Sequence, residues 1–416
     1  MLAANLLTLA LAPAALAFPL FKRSANSSNF LDTPQVNSSE IANNFTISTN
    51  ATQTVSLIQP ASTSTGDISV GSGGKFGSIF KPKVFIVNMF TREETTWITN
   101  ENLTVNITVP MLSPLYPHVH SNENFTVMSF TTGEGEINAA SSITALLMSP
   151  LFDFSETYFI VSGIAGGSPN LTTIGSVTFP KYAVQVGLAY EIDSREIPSD
   201  WPYGYVNFGT NRTNMPPSTI YGSEIFELNE NLRNRAMWLA SNVSLSNGTV
   251  GNVAFRDRYN SSLAAYQPPK IVACDTATSD VYWSGNNIAK VVEDFFAVIS
   301  NNTATYCSTQ QEDNATLEAI MRAAQFGIAD YNRVVIQRGI SDFDRAPPGL
   351  NATEFFFDAN QGGSRAAVNN LYTVGSVLVN DIIENWDSLY QVNHFQPGNY
   401  IGDYFETLGG DKNFKK

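Results

Sequence analysis

The sequence predicts an α/β fold, a mixed sheet flanked by helices, preceded by a disordered leader rich in Ser, Thr and Asn. Three observations predict it. Short β-branched apolar runs alternate with stretches of helical spacing across residues 81–410. Glycine-rich turns follow several of those runs, as where a strand hands over to a helix. Residues 18–80 carry SANSSN, STNATQT and ASTSTG, which bury too little apolar surface to offset the entropy of ordering them.

The elements follow in order. KVFIVNMF (83–90) fits a buried strand. TVMSFTTGEGEINAASSITALLMSPLF (126–152) reads as strand, glycine turn, helix. TYFIVSGIAGG (157–167) reads as a strand ending in a glycine turn, and GSVTFPKYAVQVG (175–187) as another strand. IYGSEIFELNENLRNRAMWLA (220–240) has helical spacing. PKIVACDTATSD (268–279) is a strand entering a polar turn. ATLEAIMRAAQFGIA (315–329) is an Ala-rich helix, YNRVVIQRGISDFD (331–344) strand then loop, and SRAAVNNLYTVGSVLVNDIIENWDSLY (364–390) a long helix. No internal linker divides 81–410, so one domain is expected there.

The N-terminus reads as an export signal. Leu6–Leu16 is an apolar core, and Ala15-Leu16-Ala17 has the small-x-small pattern of a cleavage site, although no Lys or Arg precedes it. Lys22-Arg23 is either a second processing site or a surface pair. No later run approaches the roughly 20 apolar residues a spanning helix needs, so no membrane span is expected after residue 17. Sequons at Asn102, Asn106, Asn124, Asn170, Asn211, Asn242 and Asn247, among others, are expected to carry glycans in a secreted or cell-wall protein. Asn314 is also in a sequon, within the EDNAT turn; if that turn lines a ligand site, no sugar is expected there. Cys274 and Cys307, the two cysteines, are read as one disulfide, the alternative being two buried thiols.

A formal net charge of −14 argues against nucleic-acid polymers as partners and leaves small neutral ligands open. No Walker motif, Rossmann fingerprint or G-x-S-x-G elbow occurs, and no cofactor is expected. His118 and His120 lie on one side of an extended PHVH segment without a third ligand at motif spacing, so no metal is expected. If the following glycine turn binds a ligand, one of them is in reach of it.

Backbone N–H groups of GEGE (133–136) and GIAGG (163–167) can serve as ligand loops or merely as turns. Together with TSDVYW, TLEA and RGISD, in that chain order, they resemble the nucleoside phosphorylase-I superfamily, particularly its nucleosidase branch. The segments TTGEGEINAA, SGIAGG, IGSVTF, YEIDSREIP, EDNATLEA and RGISDF look more specifically like the purine nucleoside permease family of fungi and bacteria, over about 81 to 405.

That resemblance implies a nucleoside phosphorylase-like fold and a set of roles. Asp342 would be the general acid that protonates the departing purine. Glu93 would orient the attacking water, with Glu94 the neighbouring register. Glu318 would grip the ribose 2′- and 3′-hydroxyls, and Tyr282 would pack against the base. Gly133, Gly135, Gly163 and Ser341 would complete the substrate site. Phosphorylases of this superfamily hold phosphate with an Arg and a Ser; the matching positions are Val161 and Ile164, which favours water over phosphate. Ser176 also departs from a frequent Asp and reads as structural. The expected function is a secreted protein that binds a purine nucleoside (adenosine, guanosine or inosine) and cleaves its N-glycosidic bond. The alternative is an uptake component that binds without turnover; a storage or wall glycoprotein on an old enzyme fold is a third reading. Self-association into a homo-oligomer stays open.

Overall fold

The computed structural model describes residues 80–407, with the backbone of Thr46–Ser48 and Thr54–Ser56. The 1–17 signal reading and the remainder of the 18–80 leader lie outside the described residues. A large mixed sheet runs in the order Gly402–Asp403, Ile225–Glu227, Tyr182–Gln185, Asp275–Thr278, Tyr306–Gln310, Tyr158–Gly167, Val84–Asn88, Val127–Thr131, His118–Ser121, Val105–Thr108. Thr46–Ser48 adds antiparallel to that last strand, and Thr54–Ser56 to Thr46–Ser48.

Both faces of the central strands are apolar, and the period of two divides them. Phe85, Val87, Phe159, Val161, Val334 and Ile336 face one core with Ile143, Leu317 and Ile320 of the helices Glu136–Met148 and Asp313–Gln325. Val84, Ile86, Tyr158, Ile160 and Val335 face the other, with Trp97, Leu371, Leu378 and Ile382 from Thr91–Asn100 and Ser364–Glu384. Among the described residues no helix is long and apolar enough to cross a membrane. Cys274 and Cys307 are disulfide-bonded, as the isolated pair suggested.

Tyr158–Gly167 organises the site because it changes partners along its length. Its first half pairs in parallel with Val84–Asn88, ending at Val87 opposite Val161. Its last two residues pair antiparallel with Ser308 and Thr309. Val334–Phe343 runs parallel along the other edge throughout. Between Val161 and Gly166 one edge therefore lacks a strand partner, and ligand-sized openings in α/β sheets arise at such switch points.

Several expectations are revised. GIAGG is not a turn but the end of this ten-residue strand. Its glycines admit neighbours: a Cβ on Gly163 would lie 2.5 Å from Arg338 Nη1, and one on Gly167 2.5 Å from Thr172 Oγ1. The 175–187 strand is two, Val177–Phe179 and Tyr182–Gln185, interrupted at Pro180, which cannot donate to a ladder. In 220–240, Ile225–Glu227 is a strand, and the helix begins only at Glu230, where Asn229 caps it.

Candidate functional site

Seven strand ends supply the residues of one cluster. Glu93, in the first turn of Thr91–Asn100, is 2% exposed and turns inward to the unpartnered edge. Its Oε1 accepts the Ile164 N–H at 2.6 Å and its Oε2 the Met89 N–H at 2.8 Å. The carboxylate thus supplies the acceptor that the missing strand would have offered to Ile164. Burial pushes the Glu93 carboxyl up to about 8, against those two N–H bonds and the nearby Arg338 charge. Each oxygen retains a further acceptor position. The neighbouring Glu94 points elsewhere, to His120 Nε2 at 3.2 Å.

Arg338, 1% exposed on Val334–Phe343, is the centre of charge. Its Nη2 donates to Asp313 Oδ1 at 2.5 Å and Glu312 Oε2 at 3.3 Å, and its Nη1 to the Ile164 carbonyl at 3.1 Å. Burial works against the Arg338 charge, but Asp313 and Glu312 outweigh it and hold the guanidinium above its ordinary value. Burial also raises the Glu312 and Asp313 carboxyls, opposed by Arg338.

Glu312 begins the next layer, with Oε1 accepting the Gly135 N–H at 3.1 Å. Gly133 and Gly135 have φ of 85° and 90°, the left-handed conformation that turns the chain from strand into helix Glu136–Met148. Asp280 accepts the Glu136 N–H at 2.8 Å, and Gln185 donates to the Glu136 carboxylate. Burial pushes the Glu136 carboxyl up to about 7, against the Gln185 bond and with help from Asp280 and Glu312.

Asp342 closes the cluster. The register of Val334–Phe343 slips between Ile340 and Asp342, and this bulge sets Asp342 opposite Gly166. Ser341 Oγ donates to Asp342 Oδ1 at 2.6 Å, and the Tyr282 hydroxyl donates to Oδ2 at 2.8 Å. Burial raises the half-buried Asp342 carboxyl; the Ser341 and Tyr282 bonds pull it back, and the Asp344 charge adds to the rise. Glu93 holds Ile164 and Asp342 faces Gly166, two residues along one strand, or about 7 Å.

The structure does not bring Glu318 to this cluster. It lies six residues past Glu312, about 9 Å down the helix, paired with Arg322. The helix carboxylate beside Arg338 is Glu312, which sequence reading missed, as it missed Arg338 and Asp280. Gly163 is filled by Arg338 and Met89. Tyr282 is 60% exposed, whereas Trp283 is core. His120 also binds Asn106 Oδ1, at 2.8 Å, so this sequon side chain is engaged within the sheet. Asn102, Asn124, Asn170, Asn211, Asn242 and Asn247 are exposed, while Asn314 is buried, its amide donating to the Ser223 carbonyl at 2.8 Å. Surface cavities of about 300 and 350 Å³ open elsewhere, at Arg92 and Arg365 and at Asn170 and Tyr306.

Comparison with known proteins gives the chain its relatives. A family model described as purine nucleoside permease matches residues 81–394. A purine nucleoside permease of Candida albicans is 49% identical over 364 residues, 86% of this chain and 89% of the relative. A probable purine nucleoside permease of Schizosaccharomyces pombe is 42% identical, over 74% of this chain and 91% of its own. Among solved structures, the chain is similar to the 5′-methylthioadenosine/S-adenosylhomocysteine nucleosidase of Neisseria meningitidis, at 13% identity and TM-score 0.43, covering 71% of this chain and 97% of that one. It is similar also to the futalosine hydrolase of Helicobacter pylori, at 14% identity and TM-score 0.41, covering 72% and 98%. Matched from residue 81 to residue 394 and close to half identical to a relative over most of both lengths, the chain belongs to the purine nucleoside permease family.

Proposed function

We propose that the protein binds a purine nucleoside at the strand-end cluster and cleaves its N-glycosidic bond with water. The observation that carries this reading is the pair Glu93 and Asp342, two carboxyls with raised proton affinity that meet one strand at Ile164 and Gly166, backbone positions two residues or about 7 Å apart. A purine leaves poorly as an anion. Asp342 delivers its proton to the base as the bond to C1′ breaks. Water adds to C1′ and gives its proton to Glu93, so that ribose and free base are released. Glu312, which stands where Glu318 was expected, takes the vicinal ribose hydroxyls.

Water is favoured over phosphate by the residues around the gap. Val161 is core, the Ile164 N–H is already committed to Glu93, and the Arg338 guanidinium is committed to Asp313 and Glu312. A second reading is uptake: the fungal relatives are named permeases. A chain of this kind would serve uptake as a binding or processing component. Export through the 1–17 signal belongs to the same proposal, supported by the six exposed sequon asparagines.

The test is incubation of purified full-length protein with adenosine, guanosine and inosine, with and without phosphate. Free ribose in the absence of phosphate supports hydrolysis, and ribose 1-phosphate would replace it with phosphorolysis. Saturable binding with no base release supports the uptake reading. Asp342→Asn abolishes release and spares binding; full activity in that variant overturns the general-acid role.

A further inference from the structure

We propose that Tyr282 is a gate on Asp342: its hydroxyl holds the carboxyl oxygen that a purine would engage, and its ring swings aside to admit the base. This deepens the hydrolytic reading and rests on it.

The geometry carries the inference. Both Asp342 oxygens are taken, Oδ1 by Ser341 and Oδ2 by Tyr282. The Ser341 donor is fixed in the strand, with Oγ also 3.2 Å from the Ala165 carbonyl. The Tyr282 donor is not. Its residue is 60% exposed and its predecessor Val281 66%, while Trp283 is anchored in the core at 8%. The ring can therefore turn about its own side-chain torsions without moving the backbone on either side. Edge-on against it, with centroids 5.6 Å apart, is Phe356 of the short helix Ala352–Phe357, and Phe357 lies beyond. These rings offer a planar base an aromatic surface next to the carboxyl it would engage.

The gate also sets the protonation of Asp342. A donor on Oδ2 favours the charged form, whereas burial favours the neutral one. The titratable groups facing Asp342 are Tyr282, Asp344 and Tyr259, and Asp344 is itself paired with Arg345. Of the donors to Asp342, Tyr282 alone is free to leave. Its departure removes a stabiliser of the carboxylate as the base arrives, so the carboxyl gains a proton where one is to be delivered.

The experiment uses full-length wild type and Tyr282→Phe. Asp342 is titrated by carboxyl carbon-13 NMR without added nucleoside, hypoxanthine and adenine binding is measured by calorimetry, and inosine cleavage is followed against pH. The phenylalanine keeps the ring and loses the donor. The expected result is a higher Asp342 midpoint, about tenfold tighter base binding, and an alkaline limb of kcat/KM moved to higher pH. An unmoved midpoint, or weaker base binding in the variant, overturns the gate. A midpoint that rises while neither protein binds any purine overturns the hydrolytic reading and the gate with it, and leaves only the Tyr282–Asp342 contact.

Discussion

The Glu93 carboxylate accepts the Ile164 main-chain N–H at 2.6 Å, standing in for a strand where the sheet changes partners. A side chain that satisfies two buried N–H groups cannot be exchanged even for its amide. Glu93→Gln turns an NH₂ toward Met89 or Ile164, leaving one N–H without an acceptor. The expected cost is about 1–3 kcal/mol, read by urea denaturation, together with loss of base release. Wild-type stability in this variant would show that the two contacts do not matter to the fold.

The pH dependence follows from the same group. The folded protein holds the Glu93 proton up to about 8, and the Glu136 proton up to about 7, both above the usual 4.5 of a carboxyl. The folded state binds more protons than the unfolded state between those limits, so these groups make stability fall as pH rises from 4.5 through about 8. Midpoints of denaturation should be higher at pH 5 than at pH 8, with a smaller difference in Glu93→Gln. Base release should move the opposite way, rising through about pH 8 as Glu93 ionises to accept the proton of water.

Arg338→Met leaves Asp313, 0% exposed, and Glu312, 4% exposed, without their counter-charge. Removing one partner of such a group typically costs about 3–5 kcal/mol. Thermal unfolding at neutral pH should show a large loss, part of it recovered at acid pH where the two carboxyls protonate.

Glu312→Ala and Glu318→Ala separate the two carboxylates of one helix. Glu318 sits in an i,i+4 pair with an Arg322 that is 65% exposed, so its removal should change stability by about 0.5 kcal/mol or less. Base release should persist in Glu318→Ala and be lost in Glu312→Ala. The reverse pattern would restore the ribose role to Glu318.

Gly163→Ala tests the close approach beneath the cluster. The added methyl would meet Arg338 Nη1 at 2.5 Å and Met89 Sδ at 2.6 Å, and the guanidinium is pinned by its acids. About 1–3 kcal/mol of destabilisation is expected by calorimetry.

The central strands were legible because they are apolar on both faces; Asp342 and Glu93 came only from the family resemblance, and the structure sets both against the end of Tyr158–Gly167. Glu312 was hidden by an unusual helix start. Gln310, on the strand before, accepts the N–H groups of Glu312 and Asp313 at 2.8 Å each, so the helix begins at Asp313 rather than Ala315. Glutamine is not among the residues that signal a cap. Arg338 could have been found: a cation inside VVIQRGIS must meet buried acids, and two stand in QQED. Val105–Thr108 escaped notice, and His118–Ser121 read only as extended chain, because each is only half apolar and sits toward the sheet margin. The GIAGG turn was a misreading of glycines that make room for neighbours rather than bend the chain.

The strand Tyr158–Gly167 pairs along its whole length with Val334–Phe343, and Gln337 reaches Ser162 across 175 positions of sequence. During synthesis, then, the middle of the sheet waits with a bare flank until most of the polypeptide has left the ribosome. Long-range pairings of this kind form slowly and leave a sheet edge open until they close, so the centre of this sheet cannot be completed before residue 343 emerges.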